Sequence, residues 1–133
     1  KTPVLAILGH SDCGAVTASL TDYSQDTDAI KRELETLTRG QQQSGAQISP
    51  ADPQRVDKWA EVNVHNQVAY ALEKYGDRVK TGDLTVVGLM LDFTKAYGAC
   101  DCQAYVMNLN GEKDPEELRD MLGSGLPILH EGE

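Results

Sequence analysis

The chain has 133 residues, with 12 basic and 21 acidic side chains and a net charge of −9. That length suits one domain with a real core. The acidic balance argues against nucleic acid or an anionic membrane as partner. No apolar run approaches the roughly 20 residues of a membrane span, and the opening residues do not form a signal peptide. The cysteines are Cys13, Cys100 and Cys102. An odd number with C-x-C spacing is no disulfide framework, so the cytoplasm or another reducing compartment, an organelle stroma included, is expected.

The first element is an apolar run, Val4 to Leu8, of the length of a strand buried on both faces of a parallel sheet. Gly9 is expected to end it, since a residue without Cβ lets the chain turn sharply. Polar residues lead into Ala15-Val16-Thr17-Ala18-Ser19-Leu20, the start of a helix. In an open α/β sheet, ligands bind just past the carboxyl ends of the strands, where this turn lies. The turn holds His10 and Cys13, three apart, and a bend can aim both at one place. Imidazole and thiolate together suit zinc. A position near the helix N-terminus would favour the thiolate. Taken alone, H-x-x-C fits equally a turn histidine beside a buried cysteine that packs as a small hydrophobe.

Thr27 to Arg39 carries Ile30, Leu34 and Leu37 on one narrow face of a charged helix. Asp26 or Thr27 is expected to cap its start and Gly40 its end. Gln41 to Gln47 lacks periodicity and reads as a mobile, solvated loop. The longest helix starts at Ser49-Pro50 or at Asp52-Pro53. Val56, Trp59, Asn63, Gln67, Ala71 and Tyr75 follow one stripe, with Ala60, Val64, Val68 and Leu72 beside it. Asn63 and Gln67 would be buried amides in need of partners. They are expected to brace the His10–Cys13 turn or to bond any neighbouring loop. His65 falls off the stripe and is expected in solvent, and Gly76 to end the helix.

Thr81-Gly82-Asp83 is turn chemistry before a central strand, Leu84 to Leu91. Asp92 either faces the site or caps a turn. Thr94 to Asp101 reads as a loop, Gln103 to Leu109 as an outer strand, and Asn110-Gly111 as the turn that closes it. Asp114-Pro115-Glu116-Glu117 opens a helix with a cap, a proline at its first position and acids at the positive end of the dipole. Leu118, Met121 and Leu122 form its apolar face, and Gly123 ends it. The tail, Ser124 to Glu133, reads as a frayed terminus, with packing on a neighbouring subunit as the alternative. Cys100-Asp101-Cys102 offers two close thiolates for a second metal or a substitute ligand.

Gly9-His10-Ser11-Asp12-Cys13-Gly14-Ala15-Val16 resembles the second zinc motif of the β-class carbonic anhydrases. Glu61 to Val68 resembles the helix that follows in that family, and Leu84 to Asp92 its next core strand. Tyr105 to Gly111 resembles a later edge strand, so the likeness runs roughly from Thr2 to Gly111. The family's first motif, C-x-D-x-R, has no match here. It would supply the remaining cysteine ligand and an Asp–Arg pair at the fourth zinc position, so an N-terminal part is expected to be missing.

The resemblance implies one α/β domain over residues 1–133, with a mostly parallel central sheet flanked by helices. It implies Zn2+ as cofactor and the reversible hydration of carbon dioxide to bicarbonate. His10 and Cys13 are the implied metal ligands, and Gly14 would let the backbone approach the metal. No proton shuttle is assigned, neither to His65 nor to His130. A homodimer or higher homo-oligomer is expected, together with a companion N-terminal segment. Two other readings stay open: a catalytically inactive zinc-binding or scaffold relative, and a thiol enzyme with Cys13 as nucleophile and His10 as base.

Overall fold

The computed structural model describes residues 2–98 and 102–130. Three strands, β1 (Val4–His10), β2 (Thr85–Asp92) and β3 (Gln103–Leu109), form one sheet in the order β1-β2-β3. Four helices accompany them: α1 (Gly14–Ser19), α2 (Asp28–Ser44), α3 (Arg55–Lys80) and α4 (Pro115–Leu122). This is the expected helix-flanked α/β arrangement. Its pairing is mixed, with β2 parallel to β1 and antiparallel to β3.

Helix α3 lies across β1 and β2. Ala60, Val64, Val68 and Ala71 are its buried residues, so the core face is centred on what the sequence showed as the neighbouring stripe. Gln67 is exposed and Asn63 only half-buried, so neither is the buried amide expected. Gly9 and Gly88 let this helix approach. A Cβ on Gly9 would stand 2.5 Å from Val64 Cγ2, and one on Gly88 2.9 Å from Val64 Cγ1. Gly9 therefore does not end the strand; it continues to His10 and pairs with Met90. On β1, burial alternates, and Val4 and Leu8 are 49% and 58% exposed. The expectation of two covered faces fails because helix packing reaches only one side of this edge strand.

Helix boundaries differ from the sequence reading at three glycines or nearby. Gly40 lies inside α2, where its carbonyl accepts the Asn66 Nδ2–H at 3.0 Å. A Cβ on Gly40 would come within 3.1 Å of that nitrogen, so the glycine serves close passage of α2 over α3. The helix ends instead at Gly45, in the left-handed conformation. Gln41 to Ser44 are thus helical, not loop, and Gln41 Nε2 bonds the Ser19 hydroxyl at 2.9 Å. Gly76 lies within α3, which runs on to Lys80.

Other expectations hold. Thr27 caps α2, its hydroxyl accepting the Ile30 N–H. Asp114 caps α4 through the Glu116 and Glu117 N–H groups, with Pro115 at the first position and Gly123 beyond the end. Asn110 and Gly111 both have positive φ in the turn after β3. The tail is not frayed over its described part: Val106 donates to the Pro127 carbonyl and accepts from Leu129 N–H at 2.8 and 2.9 Å. Ile128 and Leu129 are buried there, covering the outer edge of β3. Cys100 and Asp101 lie outside the described residues.

Candidate active-site turn

The turn after β1 sits where the sequence placed it, at the carboxyl end of the strand. His10 is the last residue of β1, opposite Leu91 on β2. Its Nδ1–H donates to the Ser11 carbonyl at 2.9 Å. Because a carbonyl only accepts, the neutral ring carries its proton on Nδ1 and its free lone pair on Nε2. The Phe93 ring lies 5.6 Å from the His10 ring, tilted by 58°.

Ser11 is the anchor of the turn and is 1% exposed. Its N–H donates to the Leu91 carbonyl at 2.9 Å, and its hydroxyl oxygen accepts the Phe93 N–H at 2.8 Å. The same hydroxyl bonds the buried Asp92 carboxylate. Asp92 also accepts the N–H groups of Thr94, Ala96 and Tyr97 at 2.9–3.0 Å. Burial alone would raise its pKa, but these donors outweigh it and hold the carboxyl below 3.8. Of the two roles open to Asp92, the observed one is to cap the loop after β2 and tie it to the turn after β1.

Asp12 takes a left-handed conformation, φ 51°, which Asp tolerates better than most residues. Its N–H donates to Asp57 Oδ1 on α3 at 2.7 Å. Cys13 follows as the N-cap of α1, half-buried, and its side chain makes no capping hydrogen bond. Its carbonyl instead accepts from the Thr17 N–H and hydroxyl at 2.9 and 3.0 Å. A Cβ on Gly14 would meet no atom of the rest of the chain within 4 Å, so space is open beside Gly14 at the start of α1.

A cavity of about 520 Å³ lies along α3, lined in part by Asp57, Lys58, Glu61, His65, Tyr97 and His130. Asp57, Glu61 and His65 are four residues apart and share a face of α3. Glu61 accepts the Tyr97 hydroxyl at 2.6 Å, and burial first, then this bond, pushes the phenol pKa up. His65 is not in solvent as expected. Asn108, whose oxygen holds the Gly111 N–H at 2.9 Å, donates its Nδ2–H to His65 Nδ1 at 3.0 Å. Burial, and then the Lys113 charge, lower the His65 pKa to about 4. The imidazole is therefore neutral with its proton on Nε2.

Residues 1–98 match the family model described as carbonic anhydrase. The chain belongs to the carbonic anhydrase family. Two curated relatives, each named carbonic anhydrase 2, come from Mycobacterium tuberculosis strains CDC 1551 / Oshkosh and ATCC 25618 / H37Rv. Both are 27% identical over 99 residues, covering 67% of this chain and 44% of their own. A solved structure from work on two tetrameric β-carbonic anhydrases of the filamentous ascomycete Sordaria macrospora superposes with a TM-score of 0.56. It is 21% identical and covers 69% of this chain and 48% of that one. The fold is thus that of a β-class carbonic anhydrase, and the chain spans less than half the length of these relatives. The match to the family model stops at residue 98, before the stretch Tyr105 to Gly111.

Within this carbonic anhydrase fold, His10 and Cys13 stand at the two ends of one short turn. Nitrogen and sulfur donors suit zinc, and the His10 tautomer leaves Nε2 available. The donor set fits part of a tetrahedral site only. Among the described residues, no three His, Cys, Asp or Glu side chains are placed to share a metal. Sequence reasoning missed Asp57, Glu61 and the Ser11–Asp92 tie. The four-residue spacing of Asp57, Glu61 and His65 was the available signal for the first two.

Proposed function

We propose that this chain carries the His10–Cys13 half of a zinc site and serves the reversible hydration of carbon dioxide to bicarbonate. One observation carries the reading: in a chain of this family, a histidine with free Nε2 and a cysteine flank the turn at the carboxyl end of a parallel strand. Zinc held there would act as a Lewis acid, bringing the pKa of coordinated water down to about 7. The chain's own part is to orient the imidazole through Ser11, to present the thiol at the start of α1, and to leave space beside Gly14.

The remaining ligand and the Asp–Arg pair would come from a companion segment that bears C-x-D-x-R. The functional unit is then a homo-oligomer. A second reading, a zinc-binding relative without activity, is favoured by the two-donor set alone. No hydrogen bond between His10 and Cys13 supports a thiol nucleophile among the described residues.

The test is zinc content and carbon dioxide hydration, measured on the chain with and without a segment carrying C-x-D-x-R. Activity should require the segment and disappear in His10→Ala, while Cys13→Ala should lose zinc. Zinc bound equally by Cys13→Ala and the parent would remove the reading. Zinc without activity in the assembled form would support the inactive relative.

A further inference from the structure

We propose that Asp57 is a positioning residue for the His10–Cys13 turn. Its carboxylate accepts the Asp12 N–H at 2.7 Å across 45 residues of sequence. Asp12 is the residue that takes the left-handed conformation, and it immediately precedes Cys13. A left-handed residue reverses the local chain direction, so the φ and ψ of Asp12 decide where the Cys13 Cα–Cβ bond points. This bond ties the turn directly to α3. Asp57 stands in the first turn of α3, whose Ala60 and Val64 are fixed in the core, so the acceptor is mounted on a rigid element.

The same helix face continues the arrangement. Four residues on, Glu61 holds Tyr97 of the loop after β2, and His65 accepts from Asn108 on β3. Three polar side chains of α3, all lining one cavity, thereby bond the turn after β1, the loop after β2 and strand β3. Of the three, Asp57 is the one bonded to Asp12 of the turn. Its consequence for metal binding rests on the zinc reading above. The hydrogen bond and its control of Cys13 do not.

The experiment uses the full chain with Cys100→Ser and Cys102→Ser, leaving Cys13 as the single thiol, in the presence of a chelator. The rate of Cys13 alkylation by iodoacetamide and the exchange rate of the Asp12 amide are measured. Asp57→Ala should raise both about fivefold, the factor expected for one lost hydrogen bond. Asp57→Asn keeps an acceptor without the charge and should restore both to the parent values. Asp57→Ser, whose hydroxyl stands short of Asp12, repeats the comparison should alanine lower the melting temperature. Parent-like rates in Asp57→Ala would overturn the proposal. So would equal acceleration in Asp57→Ala and Asp57→Asn, which would show a charge effect in place of a bond. Cobalt added to the parent chain reports separately on the metal. Absence of a thiolate-to-cobalt absorption band even when a segment carrying C-x-D-x-R is supplied counts against the zinc reading, while the alkylation rates still decide the role of Asp57.

Discussion

Val64 of α3 fills the space that a side chain on Gly9 of β1 would need. A Cβ on Gly9 would stand 2.5 Å from Val64 Cγ2 and 3.1 Å from Met90 Sδ. Val64 is 2% exposed and β-branched, so it has no free rotamer in which to retreat. Gly9→Ala should therefore destabilise the chain by about 1–3 kcal/mol, as expected for overpacking. Urea unfolding checks this. The double variant Gly9→Ala/Val64→Ala should lose less than the sum of the two single variants, because shortening Val64 makes room for the new methyl.

The Ser11–Asp92 tie makes a second expectation. Asp92 is fully buried, and four donors hold its carboxyl below the ordinary value of 3.8. A depressed folded pKa stabilises above the unfolded value, and that stability is lost as pH falls from about 3.8 through the folded value. Asp92→Asn keeps the size but cannot accept all four bonds, so it should cost about 1–3 kcal/mol at neutral pH. It should also flatten the fall in stability below pH 4. Denaturation at a series of pH values distinguishes this from a uniform loss.

Asp92 and Gly9 also show how the sequence could and could not be read. Hydrophobic period, cap chemistry and turn residues located β2, β3, α4 and the H-x-x-C turn, since these features act locally. Gly9 and Gly40 read as breaks in the sequence for the opposite reason. A glycine that permits two elements to pass closely looks the same in sequence as one that ends an element, and only the partner, Val64 or Asn66, distinguishes them. The tail was misjudged because its partner strand, with Val106, is some twenty residues away. His65 reads as solvent-exposed because it falls off the apolar stripe of α3, a pattern that carries no sign of its hydrogen bond to Asn108 on β3.

His65 should be visible in the pH dependence of stability. Its folded pKa is lowered from 6.5 to about 4. The unfolded chain takes up a proton between these values while the folded chain does not, so stability falls as pH drops from 6.5 towards 4. The ring is partly solvated, which reduces the effect to on the order of 1–2 kcal/mol. His65→Gln, which removes the titration, should abolish that portion of the slope. A His65 ring resonance titrating near 6.5 in the folded chain would contradict the expectation.

The last prediction concerns the open edge of the sheet. The tail covers β3 through Pro127 and Leu129, but among the described residues no strand pairs with the outer edge of β1. Val4 to His10 contains no Asp, Glu, Lys, Arg or proline, the residues by which edge strands commonly resist pairing. Val4 and Leu8 point away from the core, 49% and 58% exposed. In a chain of net charge −9, this uncharged strip is where two copies can approach with least repulsion. The chain by itself should self-associate as its concentration rises, as seen by sedimentation and light scattering. Leu8→Lys adds a charge to the open face without disturbing the core, so it should suppress association and leave the melting temperature nearly unchanged. Association undiminished in Leu8→Lys would mean that the copies meet elsewhere. A companion segment that pairs with β1 should have the same suppressing effect as the lysine, and the two effects should not add.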